Sequence, residues 1–397
     1  MKAGHFFRLS PQELIKLPSG SELFVLPGRM PVGYDPQAGR YVKPERCFAV
    51  AAFISPGFTA TYNSAYAQIK KPAMLPLFSY AAVAFYKGAF YVACLRVDRE
   101  FRQDLRLMNI DLVRENTKRL RKIFPRNRLI VHLEGCALKY GCPAAKNFFL
   151  SRYEAPLPTS RVCNAGCMGC ISYQAKRQYS VTQPRIRFVP SPEEVAEVAL
   201  FHIDNVRDPV VSFGQGCEGE PLMAEDVLQR SIRMIRGKTS KGMINLNTNA
   251  SRPKVIARLF DAGLDSIRVS LNSAQIDYYT RYFKPRGYTF VDVMQSIKIA
   301  KKKNGFVSVN YLIMPGFTDS RGEIRAFRNF MRTHRIDMIQ WRNLNFDPMR
   351  YFKSLRVKVS TDEMFGIDNL IKSIKKDFPN VMMGYFNPSK RRIGRRR

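Results

Sequence analysis

Residues 161–173 read RVCNAGCMGCISY and gather Cys163, Cys167 and Cys170 with three and then two residues between them. Thiolates at this spacing can ligate three corners of a cubane iron–sulfur cluster and leave the fourth iron open to another ligand. A structural zinc site wants four donors, so zinc here would need a distant Cys or His to complete it. Eight cysteines in 397 residues form no disulfide framework, and clustered thiols in a reducing compartment bind metal or do chemistry more often than they cross-link.

The other cysteines divide by context. Cys136 and Cys142 lie in HLEGCALKYGCPAAK, just ahead of the cluster motif, where they are candidates for a second cluster, a redox pair or ordinary thiols. Cys47 and Cys94 sit in apolar, strand-like runs and read as core residues. The four histidines, His5, His132, His202 and His334, are scattered and none is assigned a role. The chain has no Walker loop, Gly-x-Gly-x-x-Gly dinucleotide turn or Ser-nucleophile elbow to support another enzyme class.

The elements that must position the thiols come next. Residues 1–150 hold short apolar runs broken by Pro and Gly, followed by one long amphipathic helix over residues 100–124, and read as an N-terminal α+β region. Residues 151–350 alternate strand and helix, with strands expected at 157–163, 209–213, 243–249, 266–272, 306–314 and 338–346. Of the helices between them, SPEEVAEVALFHIDNV has the clearest start, with Ser191 as cap, Pro192 in the first turn and Glu194 closing a capping box. Six βα units in tandem predict an α/β fold, a partial (βα)6 TIM-like barrel. Residues 351–397 add a helix, a short strand and a basic tail, NPSKRRIGRRR.

A Cys-x3-Cys-x2-Cys motif after a first barrel strand resembles the radical S-adenosylmethionine (radical SAM) family. The resemblance implies a [4Fe–4S] cluster on Cys163, Cys167 and Cys170, SAM bound at the open iron, and a 5′-deoxyadenosyl radical that abstracts hydrogen from a substrate. Glu218, Gly219, Glu220 and Pro221 in SFGQGCEGEPLM fall where the family has Gly-Gly-Glu-Pro, which gives Gly219 and Glu220 the amino group of SAM. Thr248 and Asn249 in LNTNAS, and Ser270 and Asn272 in IRVSLNSA, are similar to polar residues at strand ends that reach the cofactor's ribose and carboxylate. LIMPGFTDS resembles a loop that seats the adenine. Two departures stand out: Gly169 replaces an aromatic residue common before the last cysteine, shifting adenine contact to the backbone or Tyr173, and Glu218 replaces the first glycine. Cys217, beside the expected amino site, is a candidate hydrogen-atom donor or substrate-adduct thiol, or packs.

Charge frames the substrate. Lys and Arg number 65 against 32 Asp and Glu, a formal net charge of +33, which favours RNA or another anionic molecule as substrate. A reductant such as flavodoxin or ferredoxin follows from the resemblance. The chain shows no apolar run of membrane-spanning length and no secretion signal, which points to the cytoplasm. The reading from a different class is a basic nucleic-acid-binding protein with a structural zinc site.

Overall fold

Four stretches of this chain, MINLNT, SIRVSL, FVSVNYLI and MIQWRN, alternate polar and apolar residues. In a strand this alternation sends the two kinds to opposite faces. In the computed structural model, which describes residues 1–69, 72–174 and 179–394, they are the central strands of a seven-stranded sheet. Its members are β1 (Glu154–Pro156), β2 (Val210–Phe213), β3 (Met243–Thr248), β4 (Ser266–Leu271), β5 (Phe306–Ile313), β6 (Met338–Asn343) and β7 (Met382–Gly384). They lie side by side in chain order, every pair parallel, with Val211 opposite Ile244, Ile267 opposite Val307 and Gln340 opposite Gly384. The fold is a partial TIM-like α/β barrel.

Two expectations about the sheet need correction. The first strand lies at 154–156 rather than 157–163, with Leu157 adding one more hydrogen bond to Ser212 O (2.8 Å); Pro156 and Pro158 have no N–H to continue the ladder. The short strand after the last helix is a full member of the sheet, its seventh strand, so the βα series runs one unit longer than six.

The apolar strand faces, including Val211, Leu246, Val269, Val309 and Trp341, pack outward against the helices in the main core. On the N-terminal side these are α1 (Ile110–Ile123), α2 (Arg128–Leu138) and α3 (Pro143–Phe149). The barrel layer contributes α4 (Pro192–Asn205), α5 (Glu225–Lys238), α6 (Pro253–Asp261), α7 (Ile276–Phe283), α8 (Phe290–Lys302), α9 (Arg321–His334), α10 (Pro348–Leu355) and α11 (Ile367–Asp377). The Ser191–Glu194 capping box opens α4, and Glu194 also accepts from Arg128 at the start of α2 (2.7 Å), joining the two helices. The long helix expected over 100–124 is instead two short turns followed by α1. Asp104 and Asn109 accept hydrogen bonds from backbone N–H groups ahead of them and so restart the helix rather than continue it.

Residues 1–96 form small antiparallel ribbons, such as Glu22–Leu26 with Ala49–Phe53, rather than one sheet. They dock on the carboxyl-end side of β5 and β6. Thr59 Oγ1 donates to Trp341 O (2.6 Å), Ala60 N to Asn343 Oδ1 (2.9 Å), and Lys2 and Arg29 pair with buried Asp319 and Asp347. After β7 the chain crosses the open seam to β1. There Asn387 Nδ2 donates to Glu154 Oε1 (2.7 Å), Asn387 Oδ1 accepts from Gln340 Nε2 (3.0 Å), and Tyr153 Oη donates to Asn387 O (2.5 Å). Lys390–Gly394 is helical; the last three tail residues lie outside the described set. No described helix is long and apolar enough to cross a membrane.

Candidate active site

The loop that follows β1 carries the three thiols, and backbone contacts fix it to the end of α7. Gly166 N donates to Phe283 O (2.9 Å), Met168 N to Tyr282 O (3.1 Å), and Arg286 N to Asn164 O (2.8 Å). All three cysteines are free and half-buried. Burial pushes the Cys163 thiol up to about 11, with the Glu220 carboxylate and then Cys170 adding to the rise, and pushes the Cys167 thiol well above its ordinary value, with Cys170 and Cys163 adding to it. For Cys170 burial acts in the same direction, but Ser172 and the Arg185 guanidinium, 3.5 Å from the sulfur, outweigh it and lower the thiol. Gly169 has a steric reason to be glycine: a Cβ there would lie 2.7 Å from Tyr282 Oη and 3.2 Å from Asn345 O. The hydroxyl of Tyr282 therefore occupies the ground beside the last cysteine. Tyr173 is exposed, with the Arg185 guanidinium 5.0 Å from its ring centre.

The Glu-Gly-Glu segment after β2 lies against the same loop. Gly219 N donates to Ser160 O (2.7 Å) and Glu220 N to Val162 O (2.9 Å). A Cβ on Gly219 would sit 1.9 Å from Val162 O, so only glycine allows this approach. Glu218, the residue that departs from the family pattern, faces inward. Its carboxylate accepts from Thr159 N (2.7 Å), Ser160 N (3.0 Å), Gly214 N (2.6 Å) and Gln215 N (3.0 Å), tying the ends of β1 and β2 together. Glu220 Oε1 accepts from Thr248 Oγ1 (2.5 Å) and Oε2 from Asn249 N (2.8 Å). Burial raises its carboxyl to about 7 despite these hydrogen bonds. Asn249 Nδ2 in turn donates to Asn164 Oδ1 (2.8 Å), the neighbour of Cys163. A continuous chain of contacts thus runs from the cysteine loop through Asn164 and Asn249 to Glu220.

Ser270 faces the barrel interior, where Asn310 Nδ2 approaches its hydroxyl (3.4 Å). Asn272 turns the other way: it is fully buried, and its Nδ2 donates to Tyr278 O and Tyr351 Oη (both 3.2 Å) in the helical layer. Sequence reasoning missed the rest of the interior. Asn245 and Asn247 on β3, Arg268 on β4, Gln340 and Arg342 on β6 and the inserted Asn387 form one polar lining. Burial, together with the like charge of Arg342, lowers the Arg268 guanidinium to about 9. Asn247 Nδ2, Arg268 Nε and Asn310 Oδ1 are buried without hydrogen-bond partners. The strand alternation quoted above was the available signal for these residues. Asn164 and Arg185 carried no signal in the sequence.

Cys217 is buried, and its thiol points away from the chain of contacts just described. Its sulfur and the donor atoms of His132 and Cys136 lie within 4.8 Å of one another.

The fold is an α/β, partly closed parallel βα barrel with three free thiols on the loop after its first strand, a donor set that can ligate a metal cluster. Residues 157–327, somewhat under half of the chain, match the radical SAM superfamily. Over 215 residues it is 24% identical to GTP 3′,8-cyclase of Lactiplantibacillus plantarum, covering 54% of this chain and 58% of the cyclase; the chain thus spans little more than half the length of that relative. Among solved structures, a radical SAM methyltransferase from Sphaerobacter thermophilus superposes with a TM-score of 0.38 at 16% identity, over 51% of this chain and 63% of that one. SuiB of Streptococcus suis bound to S-adenosylmethionine does so with 0.41 at 13%, over 61% and 52%.

The residues present fit the groups the superfamily implies. Three free thiols on one pinned loop are the donor set of a site-differentiated cluster. The carboxylate of Glu220 suits an ammonium group, and the unpartnered interior atoms suit a polar ligand.

Proposed function

We propose that this chain is a radical SAM enzyme in which Cys163, Cys167 and Cys170 hold a [4Fe–4S] cluster, SAM lies beside it, and an anionic substrate occupies the barrel interior. When bound, the reduced cluster and SAM supply a 5′-deoxyadenosyl radical able to take hydrogen from carbon. The protein's part is to hold, orient and exclude water. Glu220 receives the amino group of SAM, with Thr248 and Asn249 fixing the carboxylate's orientation. Gly219 lets the backbone approach closely, and Ser270 offers a hydroxyl to the ribose; Asn272 acts from behind by positioning α7. Arg268 and Arg342 neutralise the substrate's negative charge, which agrees with the basic balance of the chain.

The observation that carries this reading is the unbroken path of hydrogen bonds from Asn164, next to Cys163, through Asn249 to Glu220, which supports taking the thiol loop and the carboxylate as one site. A low-potential one-electron donor of the flavodoxin or ferredoxin type is the partner it requires, and reduced thiols with such a donor suit the cytoplasm. The test is anaerobic reconstitution followed by dithionite reduction. About four irons per chain and release of 5′-deoxyadenosine are expected, both lost in C167A. A chain that binds no cluster, or that binds one and leaves SAM intact, overturns the proposal.

A further inference from the structure

Behind the loop that carries Glu218 and Glu220, three soft donors converge from two places in the chain, and a fourth thiol stands beside them. His132 and Cys136 are four residues apart on α2 and therefore share one face of it, with His132 Nε2 3.5 Å from Cys136 Sγ. Cys217 comes from the loop after β2, and the three donor atoms lie within 4.8 Å of one another. Cys142 stands at the start of α3, held near by its N–H, which donates to Cys136 O (3.0 Å). The Gln183 side chain lies beside the thiols of both Cys136 and Cys142, and its Nε2 is buried with no hydrogen-bond partner. Phe188 meets the His132 ring edge-on at 6.4 Å and limits its rotation. Cys136 and Cys217 are each only 2% exposed.

We infer that His132, Cys136, Cys142 and Cys217 form a second metal site, for a single zinc ion, separate from the three-cysteine loop. Thiolate and imidazole donors are zinc's preferred set, and Cys3His is one of its ordinary structural combinations. Tetrahedral bonds of about 2.3 Å place donors roughly 3.8 Å apart, so the three already within 4.8 Å need only a small closure, and Cys142 supplies the fourth. Among the described residues, His132, Cys136 and Cys217 are the group of Cys, His and acidic side chains drawn together tightly enough for one ion, and Cys142 has to move in to join them. Cys217 thereby acquires a role other than hydrogen-atom donor. The ion would fasten α2 and the start of α3 to the segment 214–220. That segment's link to SAM rests on the function proposed above; the metal site itself does not.

The test uses the full chain carrying C163S, C167S and C170S, in which the three-cysteine loop has lost its ligands, so that bound metal reports on this site alone. Purified anaerobically, it should hold about one zinc per chain, with X-ray absorption distances near 2.3 Å to sulfur and about 2.0 Å to nitrogen. Adding C136S and C217S should cut zinc content at least tenfold. H132Q, a change at a half-buried position less exposed to folding failure, should weaken Co2+ binding by about 10–100-fold and alter its visible thiolate absorption. Zinc below about one-tenth per chain, zinc retained after C217S, iron with sulfide in place of zinc, or a Cys136–Cys217 disulfide in the anaerobic protein would each overturn the inference. Zinc in the triple variant alongside a wild type that cannot cleave SAM would sink only the proposed function.

Discussion

Glu220 is the residue whose chemistry is most exposed to test. Burial raises its carboxyl to about 7, and an ammonium partner needs the carboxylate. Glu218, the Cys163 thiol and the Tyr279 and Tyr288 phenols are ionisable groups near it. As pH falls through 7 the carboxylate is lost, so SAM binding to the reconstituted protein should be about tenfold weaker at pH 6 than at pH 8, measured by equilibrium dialysis. E220Q should bind weakly with a flat profile; a flat wild-type profile contradicts this assignment. G219A should lower the midpoint of thermal unfolding and weaken SAM at least tenfold, since its new methyl would meet Val162 O at 1.9 Å; wild-type behaviour would show that the close approach is not needed. The cysteines stood out in the sequence by type and spacing, and the Glu-Gly-Glu-Pro segment by its likeness to the family pattern; the fold sets the two segments against each other. Asn164 was not, because an asparagine becomes informative only when the fold sets it between Cys163 and Asn249.

At the level of elements, the seam between β7 and β1 is closed by a segment rather than an eighth strand. Asn387 satisfies Glu154, Ser212, Asn247 and Gln340 at once. N387L removes these hydrogen bonds, leaving Gln340 Nε2 without a partner and Glu154 without its shortest one, and should cost about 2 kcal/mol in urea unfolding; a loss within about 0.5 kcal/mol would show that the seam does not depend on it. The βα rhythm made the barrel readable, and the capping box over Ser191–Glu194 located α4. Two features were not readable. Prolines at 156 and 158 cut the first strand short, and β7 is so brief that only tertiary pairing with β6 reveals it as part of the sheet. The interior polar lining was written in the alternation of β3 to β6, but short strands can be read as buried on both faces until the barrel's curvature gives them an inside.

For the whole molecule, the chain's net charge of +33 and the two interior arginines favour a polyanion. Retention on immobilised RNA should fall by about 10³-fold or more between 50 and 200 mM salt if several phosphates are neutralised; retention that is absent or insensitive to salt points to a small or uncharged substrate. The N-terminal ribbons bear on the same question, since Thr59, Ala60, Lys2 and Arg29 attach them to the end of the barrel where β5 and β6 finish, beside the site. The central claim is that the cysteine loop and Glu220 make one cofactor site. Electron paramagnetic resonance of the dithionite-reduced, reconstituted chain tests it most directly. A reduced cluster signal should appear in the wild type, be absent in C167A, and change on adding SAM in the wild type far more than in E220Q. No reducible cluster, or a cluster spectrum indifferent to SAM, would contradict it.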